Sequence, residues 1–290
     1  MGRGVRIAGL WPAVAVALAV SACGPRPGPT TAPSTVPPPG VSVSVQQWRS
    51  DVPVHRLQIA ARNDTATPVY FQDVQLSTAS FQVLPPQRVD TTLGRTPRTD
   101  FSIPYGTARC DRDRIPQVSP AVVIAHLRVG DGPLREVRFA VPHPDPILSG
   151  LLTTECGEFI LRESVGVAFG DSWDRVGKEL HGVIRVEPKN AAGPVTVDDV
   201  AGTTHYDLKP ASGKTRPVTV VRSGPAEIPV VVTPTRCDPH AFGEAKQAFL
   251  FSLWASAGGG ATYRIVLTPS QEAQRLFQSY AADVCGFPSS

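Results

Sequence analysis

The sequence has no run of lysines and arginines, and lysine is rare beside arginine throughout. The formal net charge is only +3 over 290 residues, and two of the positive side chains, Arg3 and Arg6, lie in the first six positions. Neutralising several phosphates takes a basic patch or stripe, so nucleic acid is excluded as a partner. A phosphate-binding glycine loop is also missing. Gly258-Gly259-Gly260 follows an apolar run but lacks the helix and lysine that would use it, and it reads as a turn. His55, His126, His143 and His181 are scattered, and none falls in an HExxH or similar spacing. No apolar run reaches the roughly 18–20 residues of a spanning helix. Proline and glycine are abundant instead, 30 and 25 residues, among many Val, Leu and Ala. That mixture suits short strands and turns, in a chain long enough for two ordinary domains.

The N-terminus has its own pattern. MGRGVR supplies positive charge, IAGLWPAVAVALAV an apolar core interrupted by Pro12, and Ser21 and Ala22 small residues ahead of Cys23. These are the three parts of an export signal. Directly after the core, Val20-Ser21-Ala22-Cys23 resembles the lipobox of the bacterial lipoproteins, of actinobacterial type by its Ala, Gly, Pro and Val usage. The resemblance covers the export segment alone. It implies that residues 1–22 are a signal peptide, that the Cys23 thiol carries a palmitate-class diacylglycerol, and that Cys23 becomes the mature N-terminus. The rival reading is ordinary secretion with a stray cysteine. Each buried methylene contributes about 0.8 kcal/mol, so two acyl chains hold a protein stably. The expected location is the extracytoplasmic face of the cell membrane, with the membrane as a partner through the lipid. Residues 23–40, the lipidated cysteine and GPRPGPTTAPSTVPPPG, read as a Pro/Thr-rich tether. Extended at about 3.1 Å per residue, it reaches on the order of 50 Å.

The rest of the chain repeats itself. ARCD at Ala108 and TRCD at Thr235 are 127 residues apart, and CGEF at Cys156 and CGF at Cys285 are 129 apart. AVVIAHLRV from Ala121 matches QAFLFSLWA from Gln247, and VRFAVP from Val137 matches YRIVLTP from Tyr263. Upstream, Pro68, Val69, Asp73 and Val74 map onto Pro194, Val195, Asp199 and Val200 at a constant offset of 126. The expected organisation is therefore two homologous domains, 41–157 and 158–290.

In the first copy, VSVSV, LQIAA, VYFQDVQL, FSIPY, VVIAHLRV and VRFAV are short alternating or apolar runs separated by Pro, Gly and Asn turns. Such runs predict a mainly β fold: two tandem immunoglobulin-like β-sandwiches, each ending in a short helix. Asn-Asp-Thr before Pro68 and Lys-Asn-Ala before Pro194 read as hairpin turns. In QEAQRLFQSYAADVC, Ala273, Leu276, Phe277, Tyr280 and Ala281 share one helical face. Exported cysteines meet an oxidising compartment. Of the three possible pairings, only Cys110–Cys156 with Cys237–Cys285 keeps each bond within one copy and makes the copies alike. Cys23 is left over for lipid.

Catalytic side chains are not expected. RCDPH, Arg236 to His240, places a histidine near a cysteine, but Cys237 is assigned to a disulfide, and the first copy has Asp113 where His240 stands. Asp111 and Asp238 suit turn bonds to backbone N–H groups. Asp198, Asp199 and His205 lack a defined metal-ligand spacing and suit structural or surface roles, and Trp48, Trp173 and Trp254 suit the cores. No catalytic, cofactor or metal site is assigned. The expected function is a non-enzymatic, membrane-anchored envelope lipoprotein that binds an envelope protein or a cell-wall polymer. The alternative is an extracytoplasmic carrier of a small molecule or metal held between the two domains.

Overall fold

Alternation decides the strands. In Ala121–Val129 the odd-numbered positions from Ala121 to Leu127 are buried, while Val122, Ile124, His126 and Arg128 face outward. The computed structural model describes residues 35–189, 193–238, 240, 242 and 247–286. The export segment, Cys23 and most of the tether lie outside the described residues.

The first half holds seven strands: β1 (Val41–Gln46), β2 (Arg56–Asn63), β3 (Val69–Thr78), β4 (Gln87–Leu93), β5 (Thr96–Pro104), β6 (Ala121–Val129) and β7 (Arg135–Ala140). They form two antiparallel sheets ordered β1-β2-β5 and β4-β3-β6-β7. Helix α1 (Pro146–Ser164) follows, then β8 (Val165–Phe169), β9 (Asp174–Val176), β10 (Glu179–Pro188) and β11 (Val195–Ala201). The chain continues through β12 (Tyr206–Pro210), β13 (Thr219–Val221), β14 (Ala226–Pro234), β15 (Phe251–Ala257), β16 (Tyr263–Leu267) and helix α2 (Gln271–Cys285). Here the sheets are β8-β10-β14-β12, with β9 paired to β10, and β13-β11-β15-β16. Without the added β9 and β12, the strand order is that of the first half. Both halves are immunoglobulin-like β-sandwiches.

Each sandwich buries its own core. Leu57, Ile59, Phe71 and Leu127 pack with Leu148, Leu152 and Cys156 of α1; Ile184, Val230, Phe251 and Leu253 pack with Phe277 and Tyr280 of α2. A fully buried side chain of this size contributes about 1.5–3 kcal/mol. Disulfides Cys110–Cys156 and Cys237–Cys285 tie the loop before β6 or β15 to the following helix, across sequence separations of 46 and 48. Closing loops of this length restricts the unfolded chain by roughly 4 kcal/mol in the chain-entropy account.

Three local features differ from the sequence expectations. Neither Pro68 nor Pro194 follows a hairpin turn, because β2–β3 and β10–β11 each cross from one sheet to the other. Asn63 shapes the first crossing: its buried amide donates to the Thr67 and Leu93 carbonyls, and its Oδ1 accepts from Thr65 N–H. Helix α1 is longer than a cap and contains the 157/158 junction. Asp145 caps it by accepting from Leu148 N–H at 2.9 Å, and it continues past Cys156 because Leu161 enters the second core and Arg162 bonds Glu158 one turn back at 2.7 Å. In α2, Ala273, Phe277, Tyr280 and Ala281 are buried, but Leu276 is 40% exposed on the flank of that face.

Candidate functional site

The outer face of the β13-β11-β15-β16 sheet carries an open groove of about 560 Å³, within the usual range for ligand sites. A β-bulge builds it. Along β11, Val197 pairs with Ala255 and Asp199 with Trp254, so Asp198 is an extra residue without a partner. In a regular strand Asp198 and Asp199 would face opposite sides; the bulge lets both line the groove. Trp254 is half-buried and faces outward on β15, where its neighbours Leu253 and Ala255 are in the core. Thr196, Pro217 and Thr262 complete the walls with Arg216.

The polar groups are held in place. Thr262 Oγ1 donates to Asp198 Oδ2 at 2.7 Å. Arg216 donates from Nε and Nη2 to Asp199 Oδ2 at 3.1 and 3.0 Å, and Val200 N–H donates to Asp199 Oδ1 at 2.9 Å. The Arg216 side chain is 80% exposed, so its pair with Asp199 contributes orientation more than stability.

The first sandwich has the same bulge between Phe71 and Asp73, on the strand that corresponds to β11. Its face is filled. Tyr70 stands where Thr196 stands, and the Arg128 guanidinium lies 5.2 Å from the Tyr70 ring centre. The Tyr70 hydroxyl donates to Asp90 at 2.7 Å, which raises the phenol's pKa. Arg88, then Tyr70, hold the Asp90 carboxyl below the usual carboxylate range. His126, paired across from Asp73 as Trp254 is from Asp199, bonds the Asp73 carboxylate at 2.8 Å.

A second polar cluster lies elsewhere in the first sandwich. Glu155 on α1 accepts from the Tyr105 hydroxyl at 2.8 Å and Ala108 N–H at 3.2 Å, and its carboxylate lies 3.2 Å from His55 Nε2. The His55 and Tyr105 rings stack at 3.8 Å, and His55 Nδ1 lies 3.1 Å from the Tyr105 carbonyl. These contacts clasp α1 to the segment after β5 and to the turn before β2.

The four paired cysteines are in the disulfides, and Cys23 lies outside the described residues. Asp238 Oδ1 accepts from His240 N–H at 3.0 Å, a turn bond, whereas Asp111 pairs with Arg114. His205 is buried against Phe242, ring centres 4.2 Å apart. Of the tryptophans expected in the cores, Trp173 packs on Phe277 and Phe169, but Trp48 is 49% exposed under the Arg98 guanidinium and Trp254 lines the groove. Among the described residues, no three His, Cys, Asp or Glu side chains gather as a metal site requires, and no helix is long and apolar enough to cross a membrane. Where the two sandwiches meet, Asp113, Leu161, Ser164, Ala257 and Tyr263 border a cavity of about 130 Å³, below the roughly 300 Å³ at which ligand pockets begin.

No family model matches the chain, and no curated protein is similar to it. Among solved structures, red sea bream transglutaminase aligns over 80% of this chain and 31% of its own length, at 10% identity and a TM-score of 0.25. The YadV chaperone aligns over 78% of this chain and 98% of its own, at 14% identity and a TM-score of 0.22. Domains 4 and 5 of the S-layer protein SbsC align over 69% and 98%, at 8% identity and a TM-score of 0.15. At such scores these likenesses carry no functional argument.

Proposed function

We propose that the chain is a lipid-anchored binding module on the extracytoplasmic face of the cell membrane, performing no chemistry of its own and holding an envelope component in the Trp254 groove. The groove carries this reading. It offers one aromatic plane and several oriented donors and acceptors, but no activated nucleophile or acid–base pair. The anchor reading rests on Val20-Ser21-Ala22-Cys23 directly after an apolar core. The small cavity between the sandwiches makes an inter-domain carrier the less favoured function.

A photoreactive residue in place of Thr262, in intact cells, tests the groove. The expected result is a discrete crosslinked adduct that disappears in Trp254→Ala. An unchanged adduct in that variant, or none at all, would defeat the reading. Cys23→Ala tests the anchor: the protein should leave the membrane fraction, and undiminished retention there would exclude lipidation as the means of attachment.

A further inference from the structure

From the groove's chemistry, and resting on the binding-module reading, we infer that the ligand is a saccharide: an uncharged pyranose unit of a cell-wall glycan stacked on the Trp254 indole. Three observations lead there. The first is the combination of groups. A pyranose ring presents C–H bonds on its face and hydroxyls around its edge. An indole presents a negative π face, which attracts those C–H groups. Around Trp254, Asp198 and Asp199 supply carboxylate oxygens, and Arg216 supplies a fork of N–H donors. A carboxylate has about four lone-pair sites and a guanidinium five N–H donors, so the bonds to Thr262, Val200 and each other leave capacity for sugar hydroxyls.

The second is charge. Asp198, Asp199 and Arg216 sum to one negative charge, and they are fixed by the contacts above. Two carboxylates repel phosphate or uronate groups. The Arg216 guanidinium, bonded to Asp199 inside the groove, opposes a lysine or arginine side chain of a protein partner. A neutral polyhydroxylated ring meets neither repulsion.

The third is the contrast with the first sandwich. On the same sheet face, beside the same bulge, Tyr70 and Arg128 cover the surface that Thr196 and Ser256 leave low. His126, bonded to Asp73, occupies the position of Trp254. The two copies share the scaffold, and the second has a flat aromatic floor where the first has a histidine hydrogen-bonded to a carboxylate.

The test uses the full chain in detergent with three probes: purified bacterial cell-wall sacculi, glycan strands freed of peptide by an amidase and then methyl-esterified at the carboxylates so exposed, and the released stem peptides. Variants are Trp254→Ala, Trp254→Phe, which keeps an aromatic plane, and Asp198→Asn. Wild type should bind sacculi and peptide-free strands but not stem peptides, and strand binding should change the tryptophan emission. Trp254→Ala should weaken strand binding at least tenfold and Trp254→Phe by less than threefold, with Asp198→Asn between them. Thermal midpoints should match wild type, because these side chains lie outside the core. Binding to stem peptides alone, or strand binding that survives Trp254→Ala, overturns the saccharide assignment. If sacculi and strands both fail while the crosslink from position 262 goes to a protein, the saccharide is wrong and the binding module stands. If that crosslink is absent as well, both fail.

Discussion

Glu155 gathers three separate segments at one carboxylate: the turn before β2 through His55, the end of β5 through Tyr105, and the following loop through the Ala108 N–H. His55 has φ 53, in the left-handed region, which is uncommon for a residue other than glycine, and its contacts with Glu155 and the Tyr105 ring hold it there. Burial first, and then the Glu155 charge, push the Tyr105 pKa well above the ordinary tyrosine value of about 10. Tyr206 and Tyr280 are raised too, burial again being the leading cause. The linkage has one sign for all three. Between the unfolded and folded pKa values the folded state holds protons that the unfolded chain has lost. This stability is complete below pH ~10 and is lost as pH rises toward the folded values. Urea unfolding followed against pH should show a decline beginning near pH ~10. Tyr105→Phe removes a hydrogen bond to a carboxylate and should cost about 1.5–3 kcal/mol at neutral pH. Its alkaline decline should be shallower than wild type; parallel declines would show that Tyr105 does not titrate as argued.

Apart from β14, strands with neighbours on both sides were legible from alternation, and even the bulge left a mark. In β3, buried Val69 and Phe71 are followed by Val74 and Leu76; in β11, Val195 and Val197 are followed by Val200. A period of two that slips by one residue is the signature of an inserted residue, here beside Asp73 and Asp199. Of the strands that the sequence reading did not name, β4, β8, β9, β12 and β13 lie at sheet edges, and β14 is internal. Edge strands are short or polar and have one unpaired side, so little in their composition marks them. The groove was less legible because its walls come from β11, the segment before β13, β15 and the start of β16, which spacing does not connect. Trp254 was misplaced by residue type: continuing the period through Phe251, Leu253 and Ala255 puts it on the outer face. The length of α1 escaped because its final turns are stabilised by the other sandwich. Gly157 meets Tyr263 of β16 so closely that an added Cβ would lie 2.7 Å from the ring. Gly157→Ala must therefore displace an aromatic ring and should destabilise by about 1–3 kcal/mol in urea. Tyr263→Ala in the same chain should recover part of that loss. Additive effects in the double-mutant cycle would mean the two residues are not coupled.

At the scale of the whole molecule, the two sandwiches share a helix instead of a linker. Leu148, Leu152 and Cys156 lie in the first core and Leu161 in the second, and Val165 both ends α1 and begins β8. Other contacts cross the same boundary: Gln247 Nε2 donates to the Arg49 carbonyl at 2.9 Å, and Gly157 packs against the Tyr263 ring. Domains joined by exposed linkers unfold independently, but here unfolding either sandwich removes the packing partner of part of α1. The two cores should therefore unfold together. With Trp11 confined to the export segment, tryptophan fluorescence separates them: Trp48 reports on the first sandwich, and Trp173 and Trp254 on the second. A variant with Trp173→Phe and Trp254→Phe, compared with one carrying Trp48→Phe, should give coincident urea midpoints once each is corrected for its own stability change. Gln247→Ala removes a bond across the boundary and should begin to separate the two midpoints. Midpoints already well apart in the otherwise unaltered chain would show that α1 does not couple the sandwiches, and that the groove on the second moves independently of the body that connects it to the tether.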